Sequence, residues 1–327
     1  MIMEPYIFTE IINCGKIGRI ALDSFHKYHH LPVHVFGTRQ DFVQLLPNDN
    51  NILIEVAPEL VEKFKAGHAG TAALWTQVIR QATERLIIHF DSDVIFRAEA
   101  ISDLIRLSAN YDLIGPIRNY RHNPQHNPAM ASLPDVCQTS FFLFNKERIS
   151  WQYRSKSAFN WYWRPLINFF KNSREQTRQR VRYFLTAADP LEMMVKGGYN
   201  PLGHATIDFF DPVMFDMINN GAKVFHLDFD DFGGCNFYGR RDNAYRELND
   251  FPTPFKIDFG KKMVHFSAVG SGMNFYYAGG AISNVSQSYI DYAIDRYALF
   301  CKIFYQEDIA GVDLSKYQKI LEVKDWY

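Results

Sequence analysis

Apolar positions in the first half of the chain alternate between short continuous runs and stripes at helical spacing. Residues 5–12 form an apolar run that stops at Asn13-Cys14-Gly15, a turn signal. Residues 17–28 carry apolar side chains with helical periodicity. Residues 33–36, closed by Gly37, and 52–56, closed by Pro58, read as the second and third strands. Residues 59–82 read as helical, interrupted at Gly67-His68-Ala69-Gly70. Leu86–Phe90, Leu-Ile-Ile-His-Phe, is almost continuously apolar, as expected of a strand covered on both faces. A helix is predicted over 98–108 and a further strand over 112–117.

Strands alternating with helices at this spacing predict a doubly wound α/β sheet with helices on both faces. Ligands of such sheets sit beyond the carboxyl ends of the strands, so charged residues just after a strand carry the most weight. The second half is less regular. Residues 214–219 look helical and 222–227 look like a strand. Gln287–Tyr305 predicts a long helix in a helical C-terminal tail. The division expected is a catalytic domain over 1–270, with an insertion at about 151–200, and a helical extension over 271–327.

Composition narrows the class. A chain of 327 residues, 47% hydrophobic and 22% charged, is neither disordered, collagenous nor coiled coil. A net charge of −1 argues against a generally basic nucleic-acid binder. Cys14, Cys137, Cys235 and Cys301 lie far apart with no C-x-x-C pair, which suggests free thiols in a reducing compartment. No basic leader opens the sequence, and no window holds the roughly 18 apolar residues that a membrane span needs. A soluble cytoplasmic protein is expected, with weak peripheral membrane contact as the minority reading.

The most informative residues follow the fourth strand, in Phe90-Asp91-Ser92-Asp93-Val94. In extended backbone, residues i and i+2 point the same way, so Asp91 and Asp93 would converge on one cation. Hard oxygen ligands suit Mg²⁺ or Mn²⁺, which keep open positions for substrate phosphates. The plainer alternative is a pair of solvated turn acids, with Asp93 capping the next helix.

This arrangement resembles the GT-A glycosyltransferases, whose signature is a strand ending in Asp-x-Asp within a nucleotide-binding α/β sandwich. The resemblance runs from Tyr6 to about Phe266. It implies a GT-A-like doubly wound mixed sheet, and a metal on Asp91 and Asp93 that holds the diphosphate of a nucleotide sugar, often a UDP-sugar. It implies a glycan or other hydroxyl acceptor. By position it implicates Thr9, Gly37 and Thr38 in nucleotide binding. His265, in Met263-Val264-His265-Phe266, matches a late histidine that supplies a third metal ligand, and Gly270 would let the backbone approach phosphate. The Lys-Pro-Trp of the glycogenin-like group is replaced here by Ser271-Gly272-Met273. In inverting members an acid opening a late helix is the general base; Asp211 fits by spacing, with Asp208 in reserve.

Other features have competing readings. Asp228-Phe229-Asp230 is a second Asp-x-Asp, with His226 on the same face if extended, and reads as a solvated or acceptor-lining loop. An Asp-dependent phosphatase also uses Asp-x-Asp, but usually after its first strand. A non-catalytic nucleotide- or glycan-binding module would keep the same fold. His26, His29 and His30 suit the C-terminal dipole of the first helix. Residues 151–182 hold eight basic residues against one acid, interleaved with Trp151, Trp161 and Trp163. An excursion shaping the acceptor site is favoured there over nucleic acid or lipid.

Overall fold

The computed structural model describes residues 4–65, 69–118, 135–149, 210–232, 258–267, 269–277 and 287–327. The first half runs β1 (Tyr6–Ile11), α1 (Gly15–Tyr28), β2 (Val33–Gly37), α2 (Arg39–Phe42), β3 (Asn51–Glu55), α3 (Pro58–Lys65), α4 (Ala69–Gln81) and β4 (Leu86–Phe90). There follow β5 (Val94–Phe96), α5 (Ile101–Leu107), β6 (Leu113–Gly115), β7 (Ile117–Arg118), β8 (Val136–Cys137) and β9 (Phe141–Asn145). The remainder holds α6 (Asp211–Asn219), β10 (Val224–His226), α7 (Phe229–Phe232), β11 (Asp258–Phe259), β12 (Met263–His265), α8 (Val269–Tyr277), α9 (Gln287–Tyr305) and α10 (Gln318–Leu321).

Seven strands form the main sheet in the order β10-β6-β9-β4-β1-β2-β3. β4 is the middle strand, and all five of its residues are buried. Leu86, Ile88 and Phe90 face a core shared with α1 and α9. Ile87 faces the other core, built on α4 and α6. The expected mixed sheet with helices on both faces is present, and its long C-terminal helix packs on the core through Tyr297, Leu299 and Phe300. No described helix is long and apolar enough to cross a membrane.

Some local expectations are corrected. β9, Phe-Phe-Leu-Phe-Asn, was not anticipated; it inserts antiparallel between β4 and β6 and makes the sheet mixed. The strand expected over 112–117 splits at Pro116, which has no N–H to continue a ladder. α3 ends at Lys65 and α4 begins at Ala69, so Ala69 and Gly70 of the expected interruption are helical.

Two polar side chains anchor α1. At its start, the buried Asp41 carboxylate accepts the N–H groups of Asn13, Cys14 and Gly15 at 3.0–3.1 Å, together with that of Thr38. Asn13 is left-handed (φ 57°), which turns these amides inward. At its end, His29 donates from Nδ1 to Phe25 O, and its Nε2 accepts Ala100 N–H at 3.0 Å. That acceptor starts α5 at Ile101, three residues later than the periodicity predicts. The expected charged partner for the α1 dipole is therefore a neutral imidazole: desolvation lowers its pKa.

A second, three-stranded antiparallel sheet in the order β11-β12-β5 leans on this core. Trp326 packs against Phe259, Phe266 and Phe304 there, and Arg97 donates to Asp325 O.

A histidine held neutral by folding favours the native state fully above its unfolded pKa of about 6.5, and this contribution is lost as pH falls below it. The wild type should therefore lose more stability than His29→Gln between pH 7 and pH 5. Urea midpoints at the two pH values check this, and parallel slopes would refute it.

Candidate metal centre

The turn after β4 is held by backbone hydrogen bonds. Asp91 N–H donates to Ser140 O at 2.8 Å, and Val94 N–H donates to Asp91 O at 3.1 Å. The chain thus reverses over 91–94 before entering β5. Extended alternation is not what unites the two acids; the turn does that.

His265 arrives through strand pairing. β12 runs antiparallel to β5 with His265 opposite Val94, and Phe266 N–H donates to Asp93 O at 3.0 Å. His265 Nε2 lies 3.3 Å from Asp93 Oδ1 and 3.8 Å from Asp91 Oδ2. One ligand atom from each of Asp91, Asp93 and His265 falls within 4.8 Å of the others. Two carboxylates and one imidazole are a donor set that fits a divalent cation. Burial, with the charge of Asp93 adding to it, pushes the Asp91 carboxyl up to about 7, against the opposing pull of His89 and His265.

A second group shares Asp91. His89, fully buried on β4, donates from Nδ1 to Thr139 O at 2.7 Å. Its Nε2 meets Glu10 Oε2 at 2.8 Å and lies 3.7 Å from Asp91 Oδ1. Trp75 Nε1–H donates to Glu10 Oε1 at 3.1 Å. Burial alone would lower the His89 pKa, but Glu10, Asp91 and the Thr139 carbonyl together outweigh it and the net shift is upward. Neither residue was singled out from the sequence. The available signal was one acid and one imidazole, each inside an apolar strand.

The other predicted residues, where described, join neither metal-ligand group. Thr9 is fully buried in β1 on the face away from Glu10, between Phe8 and Glu10 in the strand alternation. Gly37 ends β2, where a Cβ would come 2.5 Å from Ile11 O, so a side chain there would meet the neighbouring strand. Thr38 caps α2 through a reciprocal pair with Asp41. Gly270 lies in the first turn of α8, and nothing stands within 4 Å of where its Cβ would be. Asp211 opens α6 with no exposed surface and joins neither metal-ligand group. Asp228 accepts the N–H groups of Asp230 and Asp231 and so caps α7. Asp208, Gly67, His68 and the segment 151–182 lie outside the described residues.

Cys14 ties two loops together: its thiol donates to Ser92 Oγ at 3.4 Å, and burial pushes its pKa up to about 12. It is a structural thiol.

No family model matches the sequence, and no curated protein matches it. Among solved structures the chain is similar to mouse xyloside xylosyltransferase 1, with a TM-score of 0.42 and 14% identity over 80% of this chain and 97% of that one. It is also similar to the galactosyltransferase LgtC in complex with donor and acceptor sugar analogs, with a TM-score of 0.44 and 13% identity over 86% of this chain and 98% of that one. The bifunctional glycosyltransferase WbbM gives a TM-score of 0.40 and 8% identity over 71% of this chain and 40% of that one. All three are glycosyltransferases, the class the sequence resembles. At these identities and TM-scores the likeness is one of chain path and says nothing about substrate.

A carboxyl whose folded pKa is raised stabilises the native state only while protonated, and that contribution is lost as pH rises through the folded value. In metal-free protein, Asp91→Asn should therefore gain stability relative to wild type between pH 4 and pH 7, then level off. Thermal unfolding in EDTA across this range checks it; a constant difference would show that burial does not perturb Asp91.

Proposed function

We propose that the chain is a metal-dependent glycosyltransferase that moves a sugar from a nucleotide-sugar, specifically a UDP-sugar, to an acceptor hydroxyl. One observation carries this reading: Asp91, Asp93 and His265 meet beyond the carboxyl end of the middle strand, where ligands of open α/β sheets bind. These three residues would hold the Mn²⁺ or Mg²⁺. When bound, the ion offsets the negative charge that develops on the departing diphosphate.

The chain's own residues supply the rest. Ser140 and Val94 fix the backbone of Asp91 from both sides, so its carboxylate starts from a set position. Gly270, five residues after His265, leaves backbone uncovered for the diphosphate to approach. Gly37 and Thr38, at the carboxyl end of the neighbouring strand β2, are assigned to the nucleoside side. In an inverting reaction the acceptor hydroxyl loses its proton to Asp211 or Asp208. Asp211 has no exposed surface here, so it reaches an acceptor only after α6 or its surroundings move.

Donor hydrolysis and transfer from UDP-sugars, with and without Mn²⁺, test the reading. Asp91→Ala and Asp93→Ala should each lose about 100-fold or more in rate, as expected when several kcal/mol of charge stabilisation go. Variants as active as the wild type would end it. Metal-dependent UDP binding without turnover on an acceptor panel would instead describe a binding module.

A further inference from the structure

β3 ends the main sheet on the side away from β10. Its residues, Asn-Ile-Leu-Ile-Glu, pair with β2 in parallel along one side only. Val33 N–H donates to Asn50 O and Val56 N–H donates to Gly37 O, so the even-numbered residues turn their backbone groups to β2. That direction alternates along a strand, and Asn51, Leu53 and Glu55 therefore turn theirs to the open edge. Edge strands are usually blunted by lysine, proline, a bulge or a covering element. β3 contains neither lysine nor proline. Ile52 is 42% exposed and Leu53 48%. Val43 and Leu46, shortly before the strand, are exposed as well; of the large apolar residues exposed among the described residues, only Tyr277 lies elsewhere.

The polar ends of β3 are complementary to each other. Asn51 Oδ1 accepts from His26 Nε2 at 2.7 Å, which leaves the Asn51 amide N–H groups to donate. Glu55 Oε2 accepts from Arg39 Nε at 2.9 Å, which leaves Oε1 to accept. Asn51, Leu53 and Glu55 share one face of the strand. We propose that β3 is a homodimer interface: it pairs antiparallel with β3 of a second copy about a two-fold axis at Leu53, joining the two main sheets into one. Leu53 exchanges N–H and C=O bonds with its equivalent, and the Asn51 amide of each copy meets the Glu55 carboxylate of the other. A one-residue slip would present backbone groups already turned to β2. A two-residue slip would set Glu55 or Asn51 against Leu53, and parallel pairing would superpose the two Glu55 carboxylates, which repel. The two-fold arrangement closes on itself, so assembly stops at two copies. β3 stands three places from β4 in the sheet, so the proposal does not depend on the metal reading.

Sedimentation velocity of the full chain across about 1–100 µM tests this, the range in which a small interface dissociates. The wild type should pass from monomer to dimer as concentration rises. Leu53→Lys, which stacks two like charges on the axis, should stay monomeric throughout. Asn51→Asp sets a carboxylate opposite Glu55 in both halves of the interface and should weaken the dimer about 10-fold. Adding Glu55→Lys turns each of these repulsions into an attraction and should restore the dimer. An edge without a partner copy would show no such reversal. A wild type that is monomeric at the highest concentration, that grows beyond a dimer, or whose dimer survives Leu53→Lys overturns the proposal. If Leu53→Lys does not fold, the Asn51 variants decide: no loss in the single variant, or no recovery in the double one, overturns it.

Discussion

The short antiparallel ladder between β5 and β12 is the constraint on which the candidate centre depends. Only three residue pairs make it, yet it sets His265 opposite Val94, one residue past Asp93. The Phe266 N–H to Asp93 O bond extends the same ladder into the turn. A slip of one residue would send the imidazole to the other face, because side chains alternate along a strand. The ladder is buried, so register here is held by packing as well as by hydrogen bonds.

The main sheet supplies the other half of the geometry. Parallel pairing of β1 with β4 puts Phe8 beside His89, and so Glu10 beside the residues that follow β4. A buried imidazole and carboxylate are costly to desolvate, and the cost is offset only when each polar atom finds a partner. Here each does: Thr139, Glu10 and Trp75 close the chain of bonds. The neighbouring carbonyls of Thr139 and Ser140 serve the end of β4 and the turn beyond it, one accepting from the His89 side chain and the next from the Asp91 backbone.

Local periodicity made β1, α1, β2, β3, β4 and α9 legible, because each is an apolar run or stripe bounded by turn residues. Pairing between distant segments was not legible. Nothing in Phe141–Asn145 says that it lies antiparallel between β4 and β6, and β5 is too short to show a period. Asp91 and Asp93 stood out by their place after an apolar strand, although a turn rather than strand alternation brings them together. His265 came from family resemblance alone. Glu10 and His89 were hidden because a polar residue within an apolar run contributes little to its pattern. In the sequence His29 reads as a charge at a helix end, whereas burial makes it a neutral bridge between two helices.

The aromatic contacts of Trp326 tie the strand bearing His265 to residues remote from the rest of the centre. Phe266, the neighbour of that histidine, stacks its edge against Phe300 and Phe304 of α9 as well as packing on Trp326. The carboxylates follow the central strand of the main sheet, whereas the imidazole is held by a wedge of aromatic rings at the C-terminal side of the same core. Loosening of those aromatic contacts would therefore displace the nitrogen of the candidate centre ahead of its oxygens, leaving two of the three donors in place.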